Sequence, residues 1–160
     1  MLRGMPGLSG VAFVLSAISV CAQGAPPKNA TDLPSVDIQN LLKSFPKDKT
    51  SDQLLRLVDT SKYNVGVAVV SRAAIAKGSG ALSHDKITEV YYVLRGSGTQ
   101  VTGGTMADAK PTTDSTVIGP SIRGSTIEGG RSSKLGQGDV QIIPPGVAHM
   151  WSWIDAGGVD

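Results

Sequence analysis

The chain has 160 residues, 40% apolar and 18% charged, with 20 glycines, 9 prolines and a net charge of +2. That length suits one domain with a real core and not two, and so much glycine and proline suits a turn-rich β protein better than a helical bundle. With no dense basic stretch, nucleic acid is excluded as a natural partner.

The N-terminus reads as an export signal. Met1-Leu2-Arg3 is a short positive start, and Val11–Val20 (VAFVLSAISV) is an apolar run too short to span a bilayer as a permanent helix. Val20-Cys21-Ala22 puts small residues where a signal peptidase cuts, before Gln23, so residues 1–22 are assigned as a signal peptide. The competing assignment is a buried N-terminal helix, but the polar, proline-containing stretch 23–34 offers it nothing to pack on. Cys21 is the only cysteine. Val20 before it is larger than lipidation sites usually allow, so plain cleavage is preferred. The mature chain then has neither disulfide nor thiolate chemistry. A secreted or periplasmic location follows, with no membrane partner after cleavage.

Residues 23–60 are expected to form a leader and a helical extension. Val36, Ile38, Leu41, Leu42 and Phe45 are close to helical spacing, and Pro46 closes that helix. A second helix is expected after Ser51, a good N-cap, with Leu54, Leu55, Leu57 and Val58 following.

After Thr60 the period changes. Tyr63–Val70 (YNVGVAVV) is rich in β-branched residues and reads as a strand. Strand-like runs recur near 81–83, 89–94, 99–102, 125–128, 140–143 and 149–154, with turn residues between them. This pattern predicts an antiparallel sandwich or barrel over 61–160. Residues 103–136 are polar and glycine-rich, expected as a long hairpin connection with strand fragments. Asp155-Ala156-Gly157-Gly158 reads as a turn and Val159-Asp160 as the start of another strand, so at least one C-terminal strand is expected to be missing.

Both histidines of the chain fall in distinctive settings. In SHDKITEVYYVLRGSG, His84 is followed by Glu89 and then Gly96; in GDVQIIPPGVAHMWSW, Gly138 is followed by Pro144, Gly146 and His149. Five residues apart, His84 and Glu89 would point to opposite faces of one continuous strand. Asp85-Lys86 between them predicts a turn, so that His84 ends one strand, Glu89 opens its neighbour and both face one cavity. His149 opens a third strand after a Pro-Pro-Gly turn. Two imidazoles and a carboxylate so placed make a facial triad that leaves positions open on a divalent ion. The two spacings resemble the two motifs of the cupin superfamily, with every fixed position of the second motif matched and His84, Glu89 and Gly96 matching the end of the first.

The resemblance implies an all-β, antiparallel jelly-roll β-barrel, here with a short N-terminal helical extension. It also implies a divalent metal ion (zinc, manganese, nickel or iron) held by His84, Glu89 and His149, and a small-molecule ligand or substrate. It leaves the reaction open, among dioxygenase, lyase and isomerase types and non-catalytic binding. The sequence departs from the family pattern at Leu82, where the first motif carries another histidine, and at Ala76, where it carries a glycine. Strand alternation places Trp151 and Trp153 on the His149 face, as an aromatic pocket wall or as core. Tyr91 shares the Glu89 face and is the candidate acid, with core filling its alternative use. A homodimer is the expected assembly if a sheet edge is exposed.

Overall fold

The computed structural model describes residues 27–74, 79–112 and 118–160. The expected signal peptide and Ala76 lie outside them. The described residues are mostly β, with a single α-helix, α1 (Ser35–Ser44). Asp37 in its first turn and Lys43 in its last complement the helix dipole. Phe45 leaves the helix in an extended conformation, as the proline after it requires, and its ring is buried.

The second expected helix is instead a strand. β1 (Ser51–Asp59) pairs antiparallel with β2 (Asn64–Ser71), from Ser51↔Ser71 to Asp59↔Asn64. A bulge between Leu54 and Arg56 explains the misleading pattern. One extra residue in a strand breaks the two-residue alternation, and the resulting leucine spacing mimics a helix. The β-branched run of β2 then supplies the cross-strand partners that decide the matter. The hairpin loop is held by Thr60, whose N–H and hydroxyl both donate to the Tyr63 carbonyl, at 3.0 and 2.6 Å.

The remaining strands are β3 (Ala81–His84), β4 (Glu89–Tyr92), β5 (Gly96–Thr102), β6 (Thr105–Ala107), β7 (Lys110–Thr112), β8 (Ser121–Gly124), β9 (Thr126–Glu128), β10 (Arg131–Gly136), β11 (Val140–Ile143) and β12 (His149–Val159). Six of them form an antiparallel sheet in the order β10-β5-β12-β3-β8-β7. The others pair as separate two-stranded ladders, β1–β2, β11–β4 and β6–β9. Among the described residues these ladders do not join into a closed barrel, so strand pairing establishes a β-rich fold and not jelly-roll closure.

The core lies between the large sheet and the β11–β4 ladder, where Val93, Leu135, Trp151, Ile154 and Val159 cluster with Tyr91 against them. Val159 marks a second departure from expectation. Residues 155–158 do not turn the chain away; β12 continues irregularly past Ile154, and Val159 pairs with Gly96 and bridges Arg72. The crossing is tight. A Cβ on Gly96, which has φ +82°, would lie 1.9 Å from the Gly158 carbonyl oxygen. Asp160 then accepts from Arg95 Nη2 at 2.6 Å and from the Ser71 hydroxyl at 2.6 Å.

Candidate metal centre

Each of the three expected ligands opens or closes a strand. His84 is the last residue of β3, Glu89 the first of β4 and His149 the first of β12. Along β4 the alternation is clean: Glu89 and Tyr91 point inward, whereas Val90 and Tyr92 are exposed. His149 arrives after a turn closed by the Val147 N–H donating to the Pro144 carbonyl, with Gly146 at φ +76° as that turn requires. The Gly146 N–H donates to the His84 carbonyl at 2.8 Å. That bond docks the turn aiming one histidine onto the strand that ends in the other.

The three side chains meet. His84 Nε2 lies 3.4 Å from Glu89 Oε1, and His149 Nε2 lies 3.0 Å from Glu89 Oε2. One ligand atom from each residue falls within 4.8 Å of the others. Both imidazoles are buried.

The hydrogen-bond network fixes their tautomers. His149 Nδ1 faces the Val147 carbonyl at 3.1 Å, an acceptor only, so Nδ1 carries the proton. His84 Nδ1 lies 2.8 Å from Ser121 Oγ, and that hydroxyl gives its own hydrogen to the Gly119 carbonyl at 3.1 Å, so His84 Nδ1 is also the donor. A neutral ring with Nδ1 protonated has a lone pair on Nε2. Two such lone pairs and a carboxylate therefore face one another in a buried space. They repel unless a cation or an Nε2 proton stands between them. Outer hydrogen bonds of this kind orient histidine ligands on metals. Glu89 Oε2, the oxygen nearest His149 Nε2, is buried. The donor set, nitrogen and oxygen with borderline hardness, fits zinc, manganese, nickel or iron.

Where no ion stands between the groups, burial pushes the Glu89 carboxyl up, but hydrogen bonds from the Nε2 protons of His149 and His84, with their charge, outweigh it and hold the group at about 2. Its folded value lies below its ordinary 4.5, so its stabilisation is complete above that value and is lost as pH falls toward 2. Chelator-treated protein unfolded in urea between pH 6 and pH 2 is expected to weaken through this window, and Glu89→Gln to flatten that limb. An unchanged limb in Glu89→Gln would show that the carboxylate makes no such contribution. Burial, with the Glu89 charge added, pushes the Tyr91 hydroxyl well above its usual value against the opposing Arg72 guanidinium. Tyr91 thus stays a hydrogen-bond donor. Its ring meets that of His149 edge-on, with centroids 6.2 Å apart.

The two tryptophans separate. A bulge between Trp151 and Trp153 shifts the register against β5, so Trp151 pairs with Gln100 but Trp153 with Thr99. Trp151 is 5% exposed and Trp153 47%. Trp153 turns outward and donates from Nε1 to Asp155 at 3.0 Å. It is no part of the pocket, because the extra residue Ser152 breaks the alternation that the expectation relied on. Trp151 lines a cleft beside His149 and Tyr91, and Leu82 lines the same cleft. Sequence reasoning missed Arg72, Ser121 and the Val147 carbonyl. Arg72 lies outside both motifs, and a serine or carbonyl that orients a histidine carries no sequence signal of its own.

Against known families, the Cupin model matches residues 40–155, taking in the second half of α1, all of β1–β11 and most of β12. Searches of curated proteins and of solved structures found no match.

Proposed function

This chain belongs to the cupin family, and on that premise we propose that it is an exported metal-binding protein acting on a small organic molecule at His84, Glu89 and His149. One observation carries the reading: with each Nδ1 turned to an outer hydrogen-bond partner, both Nε2 atoms and the Glu89 carboxylate converge on one space. His84, Glu89 and His149 would hold the ion, and Ser121 and the Val147 carbonyl would keep the rings turned toward it. When bound, a divalent ion supplies either Lewis-acid activation of a carbonyl or water, or a site for oxygen chemistry. Tyr91, kept protonated, would donate a hydrogen bond to the substrate, and Trp151 would wall off water. A jelly-roll arrangement of the ladders goes with this reading. Elemental analysis of the purified protein tests it: near-stoichiometric metal supports the site, and none after reconstitution rejects it.

A second reading is a non-catalytic binder with a structural metal or none. Leu82 favours it, because a leucine replaces a ligand of the first motif. His84→Ala discriminates: it abolishes turnover in an enzyme and changes little in a metal-free binder.

Export rests on the apolar run Val11–Val20 after Arg3. No helix among the described residues is long and apolar enough to cross a membrane. A second copy of the chain is the proposed partner of the outer face of the β11–β4 ladder. There Val90 pairs with Ile142 and Tyr92 with Val140, and all four side chains are exposed. A contiguous apolar face of this kind marks an interaction surface. Light scattering after gel filtration is expected to give a dimer, and Ile142→Asp a monomer; a monomeric wild-type protein would reject the assembly.

A further inference from the structure

Trp153 is a tryptophan that the metal centre does not use. It stands on the outer face of the large sheet, the face of β12 opposite to His149, in a row with Thr99 of β5 and Lys134 of β10. Residues directly opposite on paired strands share a face, so these three side chains form one shelf. Nearly half of Trp153 is exposed, whereas Trp151 is buried. Leaving an indole in water forfeits the large burial that Trp151 gains.

That exposure is held in place. The bulge at Ser152 turns the ring outward, and the Ser152 hydroxyl ties the bulge to the Thr99 carbonyl at 3.2 Å. Trp153 Nε1 donates to Asp155 Oδ1 at 3.0 Å, and the Ser97 hydroxyl donates to Oδ2 of the same carboxylate. The bonds from Ser97 and Trp153, helped by the Lys134 charge, hold the Asp155 carboxyl below its ordinary value, so it is ionised at neutral pH. With its one polar atom spent on Asp155, the indole offers only its apolar ring to a ligand.

Charge decides among ligands. A ring beside a carboxylate suits an organic cation, but Lys134 offsets Asp155 and repels one. An anion meets the reverse obstacle in Asp155. A ring flanked by one balanced pair of charges and a threonine hydroxyl suits a neutral molecule with an apolar face and a polar rim. A pyranose with equatorial hydroxyls has that shape, with C–H groups on its faces and hydroxyls round its edge. The row from Lys134 to Trp153 crosses three strands, about 10 Å, which is enough for two such rings end to end. We propose that Trp153, Asp155 and Lys134 form a carbohydrate platform for an extended β-1,4-linked glycan, one sugar stacked on the indole and its hydroxyls bonded to the carboxylate and the ammonium. The platform stands apart from the metal centre, and neither depends on the other.

The test follows the two indole N–H signals of the full-length protein by NMR as cellohexaose is added. The Trp153 signal, identified by its loss in Trp153→Ala, is expected to shift while that of Trp151 stays. Read from the amides of β5 and β10, binding is expected to weaken at least tenfold in Trp153→Ala and to recover in part in Trp153→Phe, which keeps a ring. Asp155→Asn, which loosens the indole but leaves a hydrogen-bonding rim, is expected to weaken binding severalfold. Maltohexaose, the same sugar in a coiled α-linked chain, is expected to bind at least fivefold more weakly. A Trp153 signal that does not move, unchanged binding in Trp153→Ala, or equal binding of the two oligosaccharides would overturn the proposal. Tighter binding of tetramethylammonium than of cellohexaose would overturn it in favour of a cation site. Light scattering separates the remaining occupant: a dimer lost in Trp153→Ala but kept in Ile142→Asp would assign the shelf to a second copy of the chain and overturn the glycan site.

Discussion

Glu89→Ala, purified beside the wild-type protein, is expected to lose its metal, with affinity falling at least 100-fold while the fold survives. The argument is electrostatic. Glu89 is the single carboxylate of the cluster, held ionised by two imidazoles. Removing it takes away the anionic ligand and leaves two neutral nitrogens, which hold a hard or borderline divalent ion poorly. The fold should tolerate the change because Glu89 is not a member of the hydrophobic core cluster and its backbone still pairs with Ile143. Ser121→Ala is the graded companion. It leaves all three ligands in place but frees the His84 ring, and the loss should be about 10–100-fold. Elemental analysis and competitive metal titration read both. Stoichiometric metal in Glu89→Ala would place the ion elsewhere and end the triad assignment.

The largest effect on stability is expected at Gly96. An alanine there puts its Cβ 1.9 Å from the Gly158 oxygen and 3.1 Å from the Val159 Cα, both backbone atoms that cannot swing aside, and keeps a left-handed φ of +82°. Overpacking of this kind costs roughly 1–3 kcal/mol, and the backbone conformation about 1–2 kcal/mol more. A loss of about 3 kcal/mol should lower the Tm by roughly 6–12 °C in a domain of this size. Gly146→Ala is the control. Its φ is +76° but nothing lies within 4 Å of the added carbon, so only the conformational cost applies. Thermal unfolding of both variants separates the two contributions, and equal losses would show that the Gly158 contact is not the cause.

The two histidines and Glu89 were legible because each sits at a strand end, where residue spacing alone decides position. Irregularities were not. The bulge at Leu54/Arg56 made β1 look helical, and the bulge at Ser152 turned Trp153 outward while its neighbour two places back stayed inside. A bulge depends on what the partner strand offers, and a single sequence does not display its pairings. The same limit hid Arg72, which reaches the cleft only because Val159 pins the chain just after β2. Glycine told more than its count suggested. Gly96, Gly138 and Gly146, all motif positions, have positive φ, so part of the family spacing reflects backbone conformation rather than chemistry.

The large sheet has a seam at its centre. β12 runs along β5 for most of its length, yet it meets β3 through the single pair His149↔Leu82, helped by two hydrogen bonds between Ser79 and Trp151. His84 and His149 stand on the two sides of that seam, 65 positions apart in the chain. Any ion shared by them bridges the halves β10-β5-β12 and β3-β8-β7 where the backbone holds them least, and closes a long loop while doing so. An ion held there would therefore act as a rivet. Loss of the ion should be felt first as faster amide exchange along β3, before any global unfolding, which ties the mechanical integrity of the sheet to the occupancy of its site.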